Sequence, residues 1–168
     1  MPALTLTVQG SGVTDNWMDS LNATVNNGAN TGLVVGEVIA AAQILRSLLK
    51  FDISSIPSNA TLTSATLTLT VLTDSSNNAR TLSVFRALRA WVEAESTWNI
   101  WSTGNNWTTA GCADTTNDRE GTDIGTAAVG ANPAVDSEIV VTLTTAKIQE
   151  MITGGSFTNN GFLIKVDT

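Results

Sequence analysis

Apolar and polar residues alternate strictly in two short stretches of the chain. In LTLTV (4–8), Leu4, Leu6 and Val8 share one face and Thr5 and Thr7 the other; in ATLTLTV (65–71), Ala65, Leu67, Leu69 and Val71 share a face. A period of two predicts half-buried strands. LVVGEV (33–38), TLSVFRAL (81–88), EIVVTL (138–143) and GFLIKV (161–166) read as further strands. Turn-forming clusters divide them: NNGANTG (26–32), SSIPSNA (54–60) and DSSNNA (74–79). Short strands separated by Gly, Asn and Ser predict an all-β fold, an antiparallel β-sandwich of jelly-roll type.

Two segments depart from this pattern. TTAKIQEMITGG (144–155) places Ile148, Met151 and Ile152 at helical spacing, with Thr144 or Thr145 at its start and Gly154 or Gly155 at its end. It predicts one short helix near the C-terminus. VIAAAQILRSLLKFD (38–52) is rich in helix formers, yet RSLLKFDIS also fits a strand with Ser47, Leu49 and Phe51 on one face and Arg46, Leu48 and Lys50 on the other. Local pattern leaves these two readings open. The stretch 101–137 is long, polar and Gly-rich, so it is either functional or conceals short strands.

Composition supports strands over helices. Charged residues make up 14% of the 168 residues, and threonine is abundant. That length suits a single domain, taken as residues 1–168. The net charge is −7, with no run of Lys or Arg along the chain. Nucleic acids and anionic membrane surfaces are therefore not expected partners. No apolar run reaches 18 residues, and the N-terminus lacks the features of a secretory leader. Met1-Pro2 reads as a native start. Cys112 is the only cysteine, so no intrachain disulfide can form; a small buried hydrophobe is the expected role.

Histidine and tyrosine are absent, which removes His-based triads and His-liganded zinc. A carboxylate pair is the remaining route to catalysis, but Glu93 and Glu95 would face opposite ways on a strand. No catalytic residue is expected. The loop DTTNDREGTD offers Asp114, Asp118, Glu120 and Asp123 as oxygen donors for a hard cation such as calcium, set against a solvated acidic loop. Of the five tryptophans, Trp91 follows a strand and reads as core, with Trp98 similar. Trp101 and Trp107 bracket the polar STGNN and are the candidate carbohydrate-stacking residues, with Trp17 a third.

Several of these stretches together resemble the DNRLRE (disaggregatase-related) domain, a β-sandwich module of extracellular, cell-surface and some phage proteins. The resemblance rests on Asp15 and Trp17, on NNGANTGLVVG, on RSLLKFDISSIPSNATLTSATLTLTV, on WVEAESTWN and on IQEMITGGSFTNNGFLIK. It spans about residues 5–166; the blocks at 46–71 and 91–99 are its specific parts. The helix lacks the tryptophan often found before its Gly in that family. The resemblance implies a strand at 45–53 and a turn near 39–43. It also implies that Trp91, Glu93, Thr97 and Trp98 serve the fold, with Glu93 paired to Arg46 or Arg86. Members of the family have been classed as carbohydrate-binding modules, some for acidic polysaccharides. The net charge argues against an anionic glycan unless calcium bridges the two.

Two non-catalytic functions follow as expectations. The first is a virion component, a phage capsid decoration or tail-associated protein located in the virion, bound to capsid proteins and oligomeric, as a trimer. The second is an extracellular or cell-surface carbohydrate-binding module that recognises a polysaccharide. A polysaccharide-cleaving enzyme ranks a distant third.

Overall fold

The ambiguous stretch 38–52 is resolved by burial on both sides. In the computed structural model, Gln43–Phe51 forms a strand, β4, in which neighbouring Leu48 and Leu49 are both 0% exposed. A helix with one apolar stripe could not bury two successive leucines against two separate cores. The strand begins two residues before the expected 45. The structure describes residues 4–7, 12–38, 41–74, 78–155 and 157–167. Val8 and parts of the expected turns at 39–43 and 74–79 lie outside the described residues; Ala42, just before β4, has φ +50°.

Every strand pairing among the described residues is antiparallel. β1 (Leu4–Thr7) pairs with β3 (Leu33–Val38) and β5 (Thr66–Asp74), and β5 pairs with β10 (Glu138–Thr142). β4 pairs with β2 (Val13–Asp19), β3 and β11 (Phe162–Asp167). β11 continues to β6 (Arg80–Arg86), and β6 to β9 (Gly125–Val129). Leu45 pairs with Asp19 of β2 and Gly36 of β3 at once, so these strands occupy opposite edges of β4. β11 takes over the β3 edge at Ser47–Leu49. β3 pairs with β1 as far as Val35 and with β4 from Gly36 onward. It is the corner at which one nine-stranded sheet folds over on itself into a sandwich.

The main core lies between the two halves. Leu67, Leu69 and Val71 of β5 face Leu82 and Val84 of β6 and Ile164 of β11, all buried. The alternation in 65–71 marks this face directly. A second cluster sits on the outer side of the half made by β2, β4, β11, β6 and β9. There Met18, Leu48, Phe85, Ala87 and Leu163 are covered by Trp91, Trp107 and Cys112. The covering chain, residues 87–120, includes the hairpin β7 (Ile100–Ser102) and β8 (Asn105–Asn106). The long connection 101–137 thus contains short strands, including β9. Helix α1 (Thr145–Thr153) runs as expected, with Thr144 at its start and Gly154 left-handed at its end. The Thr144 side chain makes no capping bond; the Gly154 N–H donates to Glu150 O at 3.2 Å.

Strand β2 was not anticipated from local pattern. Two backbone groups that it turns away from β4 are taken by side chains. The Asp15 N–H donates to Glu93 Oε1 at 3.0 Å, and Asn27 Nδ2 donates to Trp17 O at 3.0 Å.

Candidate functional site

The tryptophans divide by burial. Trp91 is 3% exposed and its indole N–H donates to Asn160 O at 2.8 Å. Trp107 is 4% exposed, with its N–H on Thr97 O at 2.9 Å. Burial of Trp107 removes it as a stacking platform: the chain after β8 turns inward and its indole seals the outer cluster. Trp101 is half-buried against the same cluster, and Trp17 is half-buried on β2 with its Nε1 enclosed and without a partner. Trp98 touches Gly111, and the guanidinium of Arg46 lies over its ring, 5.2 Å from the centroid.

Glu93 does not follow the expectation of pairing with Arg46 or Arg86. Its carboxylate holds the Asp15 backbone N–H, while its own carbonyl accepts from Asn26 Nδ2 at 2.6 Å. Arg86 is engaged by Glu120 at 2.8 Å and Glu150 at 2.7 Å. Arg46 donates to Gly111 O at 2.6 Å.

The four carboxylates put forward for calcium are not assembled into a donor set. Asp118 is 0% exposed and accepts backbone N–H bonds from Thr108 and Thr109, both at 2.9 Å, and from Asp114 at 3.3 Å. Asp114 caps its own turn through Thr116 and Asn117. Glu120 is bound by Arg86 and Lys147. Asp123 is exposed. No group of three or more metal-ligating side chains occurs among the described residues. Carboxylates already spent on N–H donors and cations do not fit a hard cation that needs six or more oxygens.

What the sequence hid is a concentration of positive charge. Strand alternation puts Arg46 and Lys50 on the outer face with Leu48, and Lys165 on it with Leu163. Arg119 lies over Phe85, 4.2 Å from the ring centroid, and Lys165 Nζ lies 5.4 Å from the same centroid. Arg89 joins them beside Thr108 and Asp118. Five of the eight Lys and Arg residues of a chain with net charge −7 therefore share one side of one half-sheet.

The covering chain leaves part of this face open. A cavity of about 320 Å³ is bounded there by Glu37, Ile44, Arg46 and Lys165. Thr81, Thr126 and Ala128 carry the open face on across β6 and β9. Four strands abreast span about 14 Å. Arg46 on Trp98, and Arg119 with Lys165 over Phe85, form the boundary where the open face meets the covered one.

The outer face of this half of the β-sandwich thus carries a cavity beside Arg46 and Lys165 and an open stretch across β6 and β9. Comparison with known families gives this β-sandwich a specific place. The model of carbohydrate-binding module family 96 matches residues 7–153, and the chain belongs to that family. No curated protein matches it. No helix among the described residues is long and apolar enough to cross a membrane.

Proposed function

We propose that this chain is a non-catalytic module that binds an acidic polysaccharide, outside the cell or at its surface, on the sheet face that carries Arg46, Arg119 and Lys165. The observation that carries the reading is the gathering of five of eight cations on one sheet face of an acidic protein. Cations spread to keep a surface soluble would not collect there against the overall charge. Aromatic rings beneath two of the sites hold the cationic groups in place, so less side-chain freedom is lost when a carboxylate or sulfate group arrives. Arg46 and Arg119 suit planar carboxylates, and Lys165 acts as a point charge.

The family match favours this reading over a virion component, since nothing in it concerns a virus particle, a capsid partner or a trimer. On this reading an anionic glycan meets the local cationic face rather than the net charge, and no bridging calcium is invoked.

Electrophoresis through gels containing a polyuronate or a neutral glucan tests the proposal. Retardation by the polyuronate, relieved by salt and lost in Lys165→Glu, is expected. Unchanged mobility in every acidic and neutral glycan tried overturns it.

A further inference from the structure

One end of the main core is left open. A cavity of about 520 Å³ lies there, with buried Leu67, Leu143 and Phe162 in its lining. Ile148 and Ile152 of α1 line one side of it, and Ile53, Ile56 and Leu62 of the loop after β4 line another. No charged residue lines it; Ser64, Thr66 and Thr68 are its polar members. The volume falls within the range of about 300–1,000 Å³ usual for small-molecule sites.

The loop side is fixed in place. From α1, the Gln149 amide clasps it: Oε1 accepts from the Leu62 N–H at 2.7 Å, and Nε2 donates to Ala60 O at 2.9 Å. Within the loop, the Ile56 N–H donates to Ile53 O at 3.0 Å and the Ala60 N–H to Pro57 O at 2.9 Å. Bonded to itself and to the helix, the loop holds the space open before any ligand arrives. A second cavity, of about 470 Å³, adjoins the first, since Ile53, Ile56 and Ile152 line both. This one is polar on its other side, with Asp52, Ser54, Ser58 and Asn159. Asp52 is the single charged residue in its lining.

Independently of the glycan reading, we propose that this end of the sandwich binds a single alkyl chain that carries an uncharged, hydroxylated head. The chain lies in the apolar cavity between α1 and the loop, and the head lies beside Asp52 and Ser58. Two adjoining cavities of opposite character fit a ligand with two unlike ends. The first selects hydrocarbon, because burying it removes apolar surface from water on both partners. A polar group there would lose hydrogen bonds to water that the lining cannot return. In the second, the Asp52 carboxylate accepts from hydroxyls and repels an anionic head. The site is thus opposite in preference to the cationic face, which takes anions.

Titration calorimetry with alkyl maltosides from hexyl to decyl, kept below their micelle concentrations, tests this. One site per protein is expected, with binding tightened about fourfold by each added methylene. Maltose alone should not compete for it, and decanoate should bind roughly tenfold more weakly than decyl maltoside. Ile56 is 37% exposed and Ser64 is exposed, so both sit at the rim. Ile56→Trp and Ser64→Trp should each fill the cavity and weaken decyl maltoside roughly tenfold, with Tm unchanged. Lys165→Glu should bind decyl maltoside as the wild type does, whatever becomes of its glycan binding. Absence of saturable binding, one affinity for every chain length, or wild-type binding by both tryptophan variants overturns the proposal. Decanoate as tight as decyl maltoside overturns it too, since the head would then not lie at Asp52.

Discussion

Gly111 sits so close to Trp98 that a Cβ on it would lie 2.6 Å from Cη2 of the indole. Its φ of +76° adds a second demand that glycine alone meets without strain. Trp98 is also held through Gly111 N–H donating to its carbonyl at 2.6 Å, and Arg46 is fixed on the Gly111 carbonyl. Gly111→Ala is therefore expected to cost about 3 kcal/mol, combining backbone strain with overpacking. It should also loosen Arg46 and weaken glycan binding. Urea unfolding and the gel assay on the same variant check both effects.

Asp118 is a buried carboxylate that organises the loop beneath the covering chain. Three backbone N–H groups converge on it, with Arg89 Nε at 3.5 Å. Asp118→Ala leaves those donors buried and unpaired, which should cost about 3 kcal/mol. Because Asp114, Asp118 and Glu120 are taken by protein donors, thermal melts in excess calcium and in EDTA should coincide. A calcium-dependent rise in Tm would contradict that assignment.

Two carboxylates should shift stability with pH in opposite senses. Hydrogen bonds from Arg86, helped by Lys147, hold Glu120 below the usual glutamate range against the effect of burial. Its contribution is complete above the ordinary glutamate value and is lost as pH falls through the lowered one. Glu120→Gln should lower Tm at pH 7 by roughly 5 °C, and the gap should close in acid. Burial, with Glu93 nearby, raises Asp15 above the usual aspartate range. That penalty is present above the raised value and is relieved as pH falls toward the ordinary one. Asp15→Asn should therefore raise Tm at pH 7, with the gain fading on acidification.

Cys112 is 0% exposed, with its thiol donating to Asp118 O at 3.4 Å. Burial pushes the thiol well above its ordinary range, with the Asp118 charge adding to the effect. A thiol reagent such as Ellman's should leave the native protein unlabelled and react fully in denaturant. Rapid labelling of the folded chain would show that the covering segment opens readily.

Local alternation was enough to read β5, short apolar runs between turn-forming clusters were enough for β10 and β11, and helical spacing with flanking Thr and Gly was enough for α1. Those signals live within a single element. The strand 43–51 needed the resemblance, because a strand buried on both faces loses the period of two that identifies one. Trp107 shows the limit in the site. Its neighbours Asn105, Asn106, Thr108 and Thr109 are polar, and nothing local reveals that the indole turns inward to Thr97. The cationic face was equally hidden. Arg46, Arg119 and Lys165 are far apart along the chain and meet through strand register and loop packing. One clue was present: Arg46, Leu48 and Lys50 fall on one face of the strand, as do Leu163 and Lys165 of another.

Glu93 and Asn27, which occupy two outward backbone groups of β2, have a consequence for life in company. A bare outer strand is a template for the strand of another molecule. Modules that gather along one polymer are brought to high local concentration, where edge-to-edge pairing is most dangerous. The side chains that hold two of those groups leave less of the β2 edge open to a strand of another copy.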